Sequence, residues 1–293
     1  MGQITDSGGG PVAEERSWAD PASAGAPPAV QSVRPPESRR PGKWATRGRI
    51  GWAFALCIAV VFPVSKLLFA IRYRHGERFP ARGPVLLVAN HVSILDPLAC
   101  ARLVFDHGRM PHFLAKESVF KGLAGTILRS AGQIPVARYS SDAVGALSAA
   151  QDDLAAGNVV VIYPEGSVTR DPNWWPMEAR TGAARLALTT DAVVLPVAQW
   201  GPQRLHDYHA KKLHLRLRTP TEYLVGEPID LSRQRAELRA GRPLTTDLLR
   251  ETTDLMMGRV RDQLAELRGE PAPALVHPRP QRELPGDLPG GAA

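Results

Sequence analysis

Read for the spacing of its apolar positions, the chain falls into three regimes. Residues 1–42 mix Pro, Gly, Ala and Ser with no apolar period. Such a stretch buries too little surface to offset the entropy of ordering and is expected to be a disordered tail. No short basic start followed by an apolar region marks it as a secretory signal. From residue 50 to 71 the chain is almost continuously apolar, IGWAFALCIAVVFPVSKLLFAI. Beyond residue 72 short apolar runs at 85–89, 112–115, 134–137, 159–163 and 193–198 alternate with helix-period stretches at 97–105, 122–131, 143–155 and 178–188. Strands separated by helices of this length predict an α/β fold, a mainly parallel sheet flanked by helices on both faces. Residues 214–218 and 222–225 read as two further strands parted by Thr219-Pro220, and a last helix is expected over 245–267. Residues 268–293, with repeated Pro and Gly, read as a second disordered tail. The plan is a tail (1–42), a hydrophobic membrane-anchoring segment (43–71), a domain (72–267) and a tail (268–293), with no internal repeat.

The apolar segment approaches the ~20 residues that a membrane-spanning helix needs. Pro63, Ser65 and Lys66 interrupt its second half. Positive charge flanks both ends, with Arg39, Arg40, Lys43, Arg47 and Arg49 before it and Arg72, Arg74, Arg78 and Arg82 after. A single span would leave one basic flank on the wrong side. A helix, or a bent helix pair, lying in the cytoplasmic leaflet of the cell membrane with its basic ends against anionic lipid fits better.

Charge narrows the partners further. A formal net charge of +7 points to an acidic partner: nucleic acid, an anionic membrane surface or a phosphorylated substrate. No zinc-finger spacing, RNP-like aromatic motif or Lys/Arg run supports nucleic acid. The two cysteines, Cys57 and Cys100, form no disulfide framework or metal motif and read as buried thiols. His107, His112, His206, His209 and His214 show no metal-ligand spacing, so no metal site is expected.

The chemistry gathers at strand ends. The run 85–89 delivers Asn90-His91, and Asp96-Pro97 follows. Asp-Pro reads as a helix start, with Asp capping free N–H groups and Pro suited to the first helical position. His91 therefore belongs to a strand-to-helix loop, where open α/β sheets place their ligands. His91 and Asp96 meet only if the chain turns tightly between them. They would then form a base and the carboxylate that orients it, with no Ser or Cys nucleophile in the motif. Arg138 follows the run 134–137, and Lys116 and Lys121 lie between the second and third strands. Tyr163 leads into Pro164-Glu165-Gly166-Ser167, and Arg180 and Arg185 come soon after. In a parallel sheet these edges lie side by side. A neutral His beside a cationic crevice suits an acceptor carrying both a hydroxyl and a phosphate, for which Arg is the better clamp.

Asn90-His91 with Asp96 resembles the first block of the glycerolipid acyltransferases, the His-x4-Asp family that includes 1-acylglycerol-3-phosphate acyltransferases. Residues 132–138, Gly-Gln-Ile-Pro-Val-Ala-Arg, resemble the second block, Tyr163-Pro164-Glu165-Gly166-Ser167 the third, and Val194-Leu195-Pro196-Val197 the fourth. One His-x4-Asp alone is weak, but four blocks in order are specific. The resemblance implies that His91 takes the proton from the acceptor hydroxyl, that Asp96 fixes its tautomer, and that the hydroxyl attacks the acyl thioester directly. It implies that Arg138 holds a phosphate, that Glu165 and Gly166 shape the acceptor site, and that N–H groups near Gly166 and Ser167 support the oxyanion. Lys116, Lys121 and Arg170 complete the expected binding set. The implied substrates are a lysophospholipid acceptor and acyl-CoA or acyl carrier protein as donor, with no cofactor, and the product is phosphatidic acid. The sequence departs from the family at two points. Val168 stands where many members carry Arg, with Arg170 the nearest replacement, and Ala137 stands where an acidic residue often precedes the Arg of the second block. Other acceptors (glycerol-3-phosphate, another lysophospholipid, a glycolipid) and a non-catalytic lipid-binding protein of the same fold are the competing expectations. A soluble hydrolase is disfavoured because the chain has no Gly-x-Ser-x-Gly elbow.

Overall fold

The computed structural model describes residues 52–136 and 143–279. The chain enters through α1 (Trp52–Leu68), β1 (Phe69–Arg74) and β2 (Val85–Ala89), followed by α2 (Asp96–Asp106) and β3 (Pro111–Lys116). Next come α3 (Gly122–Ser130), β4 (Ile134–Val136), α4 (Ala143–Ala155), β5 (Val159–Ile162), α5 (Gly182–Thr189) and β6 (Val193–Trp200). A small hairpin, β7 (His206–Asp207) and β8 (Lys212–Leu213), precedes β9 (Thr219–Val225), α6 (Ser232–Arg239) and α7 (Thr246–Arg268).

Among the described residues seven strands form one sheet in the order β1-β9-β6-β2-β5-β3-β4. Neighbours run parallel except β6 and β9, which pair antiparallel. Side chains alternate across a strand, so the all-apolar β2 feeds two cores at once. Leu86 and Val88 join Val160, Val194 and the inner faces of α4, α5 and α7. Val85, Leu87 and Ala89 join Val161, Leu195 and Val197 against α2, together with Phe69 and Tyr223. Covering both faces leaves the carboxyl edge of β2, at the centre of the sheet, as the place where loops are free to vary.

Residues 52–68 of the apolar segment form one helix, α1, with Pro63 inside it, the first of the two forms expected. Several other expectations are corrected. The helix ends at Leu68, and Phe69 already belongs to β1. No helix among the described residues is long and apolar enough to cross a membrane. Residues 214–218 are not a strand, and β9 runs straight through Thr219-Pro220. The missing N–H of Pro220 is tolerated because β6 ends opposite Glu222, leaving β9 paired only with β1 at that point. The start expected for α5 at 178 is delayed to Gly182. The preceding backbone is engaged elsewhere: Glu178 N–H donates to His277 C=O and Arg180 N–H to Pro164 C=O, both at 2.8 Å. The first of these bonds also shows that the tail expected to be disordered from 268 packs on the domain before Arg279. The tail of residues 1–42, the cations Arg39 to Arg49, and residues 280–293 lie outside the described residues.

Candidate active site

β2 ends against β6 through a buried carboxamide clamp. Asn90 Nδ2 donates to Gln199 C=O at 3.0 Å, Gln199 N–H donates to Asn90 Oδ1 at 2.8 Å, and Gln199 Nε2 donates to Asn90 C=O at 2.6 Å. Both side chains are fully buried, and the clamp fixes where the next residue, His91, leaves the sheet.

The turn between His91 and Asp96 closes as the spacing requires. His91 Nδ1 lies 2.8 Å from Asp96 Oδ2. The same oxygen accepts N–H from Val92 at 2.7 Å and from Ser93 at 2.9 Å. This corrects the reading of Asp96 as a helix cap. Asp96 is the first residue of α2, the cap position belongs to Leu95, and the carboxylate turns back to the loop instead of forward to the helix. Burial pushes the Asp96 carboxyl above its ordinary range, while bonds from His91, Ser93 and Val92 pull it back. Its Oδ1 is buried with no hydrogen-bond partner among the described residues. With Nδ1 committed to Asp96, Nε2 is the His91 nitrogen left to take a proton. The His91 ring stacks on Tyr163, 4.3 Å between centroids and 18° between planes, and its side chain is only 13% exposed.

Glu165 occupies a different place from the one its motif suggested. It is fully buried, and each carboxylate oxygen accepts a backbone N–H: Oε1 from His91 at 2.8 Å, Oε2 from Met177 at 3.0 Å. Burial pushes its pKa up to about 8, against the pull of those two bonds. Glu165 thus braces the His91 loop against the 176–181 segment from within the interior, with both oxygens engaged by the backbone. Thr169 completes the frame by donating its N–H to His91 C=O at 2.8 Å and its hydroxyl to Trp175 C=O at 2.6 Å.

The remaining expected residues divide. Gly166 adopts φ 75° and its N–H closes a turn on Tyr163 C=O at 2.9 Å, so that donor is spent on the turn and is not free for the oxyanion role expected of it. A Cβ at Gly166 would stand 2.9 Å from Arg180 Nε, which places the Arg180 side chain directly over the turn. Arg170 is exposed and lies over the Tyr208 ring at 4.8 Å, turned towards the hairpin. Val168 is buried, so the position where many relatives carry Arg faces the interior. Lys116, at the carboxyl end of β3, and Lys121, before α3, are exposed. Lys116 stands two strands from His91, about 10 Å across the sheet. Arg138 lies outside the described residues. Sequence reading missed the brace by Glu165, the stacking by Tyr163 and the Asn90–Gln199 clamp. A Gln near the end of the fourth block, facing Asn90 across two adjacent strands, was the available signal for the last.

Beside the start of α2 lies an apolar cavity of about 270 Å³. Pro97, Leu98 and Ala101 of α2 form one wall, Ile58 and Phe62 of α1 another, and Phe113 of β3 a third. Among the described residues no cluster of His, Cys, Asp and Glu has the makings of a metal site.

Residues 70–200 match the Acyltransferase family model. The chain is 30% identical over 152 residues to a protein of Mus musculus named 1-acyl-sn-glycerol-3-phosphate acyltransferase alpha, covering 50% of this chain and 51% of that one. It is 30% identical over 151 residues to the protein of the same name from Homo sapiens, again covering 50% and 51%. The chain thus spans about half the length of these relatives. The fold resembles the crystal structure of a 1-acyl-sn-glycerophosphate acyltransferase, PlsC, from Thermotoga maritima. The TM-score is 0.50 and the identity 23%, over 72% of this chain and 80% of that one.

Proposed function

We propose, because residues 70–200 match the Acyltransferase family model, that this chain moves a fatty acyl chain from acyl-CoA or acyl carrier protein to the free hydroxyl of 1-acylglycerol-3-phosphate, giving phosphatidic acid. The observation that carries the reading is the His91 Nδ1–Asp96 Oδ2 bond at 2.8 Å at the carboxyl end of the central strand. His91 Nε2 takes the acceptor's hydroxyl proton as the oxygen attacks the thioester carbonyl. The new C–O bond forms, the C–S bond breaks, and the imidazolium returns its proton to the leaving thiolate. No side chain needs to be acylated. Asp96 fixes the tautomer and balances the imidazolium's charge. The apolar cavity behind α2 has the lining an acyl chain needs. Arg180, over Gly166, is the described cation best placed for the acceptor phosphate, with Arg138 as its expected companion. The apolar outer face of α1 fits the cytoplasmic leaflet, where the acceptor resides.

Two substitutions probe this arrangement. Asp96→Asn keeps its loop, because all three donors converge on one oxygen that Asn also possesses; its amide nitrogen then takes the place of the unpartnered Oδ1. The negative charge is lost, so kcat is expected to fall by about 10- to 100-fold at unchanged acceptor KM, less than for loss of His91. Steady-state kinetics decide it, and a fully active variant removes Asp96 from the mechanism. Gly166→Ala meets both the left-handed backbone and Arg180. Its expected signature is a stability loss of about 1–2 kcal/mol and a raised acceptor KM. An unchanged KM takes Arg180 off the acceptor.

The acceptor itself is tested by supplying purified protein with labelled acyl-CoA and a panel of acceptors in competition. Phosphatidic acid as the dominant product supports the reading. The buried Val168 favours a second one, in which a different polar head group is held without an Arg at that position. Preferential acylation of glycerol-3-phosphate, another lysophospholipid or a glycolipid establishes it.

A further inference from the structure

The segment after the β7–β8 turn reads Lys211-Lys212-Leu213-His214-Leu215-Arg216-Leu217-Arg218. Its leucines alternate with Lys, His and Arg, the period of a strand with one buried face. Here the apolar set is not buried. Leu213 is 57% exposed, Leu215 90% and Leu217 60%. Lys211 and Arg218, at the two ends, have φ of 51° and 54°, a left-handed backbone that residues with side chains rarely adopt. Strain of that kind persists where a chain is held in a particular presentation. From Tyr208 to Thr221 the sequence has no Asp or Glu, and neither does α1. Among the described residues Lys211, Lys212, Arg216 and Arg218 enter no ion pair.

The segment also has a defined neighbour. Arg218 N–H donates to Leu67 C=O, the last turn of α1, at 2.9 Å. On α1 itself Leu56, Val60, Val64 and Leu67 are 40–56% exposed, and their spacing of four, four and three sets them on one helical face. We infer that residues 211–218 and this stripe of α1 form one docking face for a bilayer surface rich in anionic phospholipid. The leucines enter the acyl boundary, and the cations between them meet the phosphates. The inference rests on the membrane contact proposed for α1 and extends it to a second element.

The hairpin that presents the segment is tied to both loops of the site. Ser93 Oγ donates to His206 C=O at 3.1 Å, His209 Nε2 lies 2.9 Å from Thr169 C=O, and the His209 ring stacks on Trp174 at 3.9 Å. Docking residues 211–218 on lipid therefore orients the His91 edge relative to the membrane that carries the acceptor.

The test is co-sedimentation of the full chain with vesicles of phosphatidylcholine alone, or of equal parts phosphatidylcholine and phosphatidylglycerol. The triple variant Leu213→Ser, Leu215→Ser, Leu217→Ser removes only exposed side chains. It is expected to weaken binding to the anionic vesicles by roughly tenfold or more, while thermal unfolding and acyl transfer to detergent-dispersed acceptor stay at wild-type level. Lys211→Glu with Lys212→Glu is expected to abolish the preference for phosphatidylglycerol. A parallel variant, Leu56→Ser with Val60→Ser and Val64→Ser, reads the α1 contact by itself. Loss of binding there with wild-type binding by the leucine variant overturns the inference and leaves the membrane reading of α1 standing. Wild-type binding by both overturns both. Self-association that vanishes in the leucine variant without a change in vesicle binding assigns the face to a second copy of the chain and likewise overturns the inference.

Discussion

His91→Ala is expected to lower kcat for acyl transfer by about 10³-fold, within the 10²–10⁴ range ascribed to a positioned general base, with acceptor KM little changed. The geometry confines the damage to chemistry. The backbone of residue 91 keeps its N–H on Glu165 and its C=O on Thr169 N–H whatever side chain it carries. Val92 and Ser93 still hold the Asp96 carboxylate, so the turn survives. What disappears is the imidazole whose Nε2, with Nδ1 committed to Asp96, receives the acceptor's proton in the proposed step. The check is turnover with labelled acyl-CoA, together with a thermal unfolding midpoint within a few degrees of wild type. A folded variant with undiminished turnover refutes His91 as the base.

Glu165→Ala is the second large effect, and it acts through a different route. The substitution strands two buried N–H groups, those of His91 and Met177, each costing about 1–3 kcal/mol, and opens a void as well. A total of about 3–6 kcal/mol is comparable with the whole stability of many domains. At about 2–4 °C per kcal/mol for a domain of this size, the unfolding midpoint drops by roughly 10 °C or more. Activity falls too, because the His91 loop loses its brace. The pH dependence has a definite sign. The folded-state pKa of Glu165, about 8, lies above its ordinary value of 4.5. The folded form therefore holds the proton more tightly. Its contribution to stability is fully present below pH 4.5 and is lost as pH rises towards 8. The alanine variant lacks that loss, so the stability gap between it and the wild type narrows between pH 5 and pH 8. Denaturant unfolding at the two pH values measures it, and a gap that widens contradicts the assignment.

The parts of the molecule legible in its sequence are those governed by local pattern. The runs that became β2, β5 and β6 are apolar at every position because both faces of the sheet are covered, and their length marks them as strands. The approach of His91 to Asp96 followed from spacing and a turn. What escaped was decided by tertiary partners. β1 was hidden because Phe69-Ala70-Ile71 continues the apolar run of α1, and an unbroken apolar run has no period that separates helix from strand. Asp96 was read as a cap because Asp-Pro opens helices, but three loop donors outcompeted the helix for its oxygen. Glu165 was read as facing a ligand because a carboxylate at the end of a buried strand is costly. That cost is met by N–H groups from residues 74 positions earlier and 12 later, which no local pattern reveals.

The Asn90–Gln199 clamp has a consequence for how such a chain can change over generations. Its two residues lie 109 positions apart, and three hydrogen bonds join each carboxamide to the other residue's backbone in a dry interior. Truncating Asn90 takes its side-chain partner from the backbone N–H and C=O of Gln199, and truncating Gln199 takes one from the backbone C=O of Asn90, a penalty selection acts on even though neither side chain meets a substrate. Because each side chain answers backbone and not the other side chain, a change at one position is not made good by a change at the other, and each carboxamide is expected to be kept on its own account.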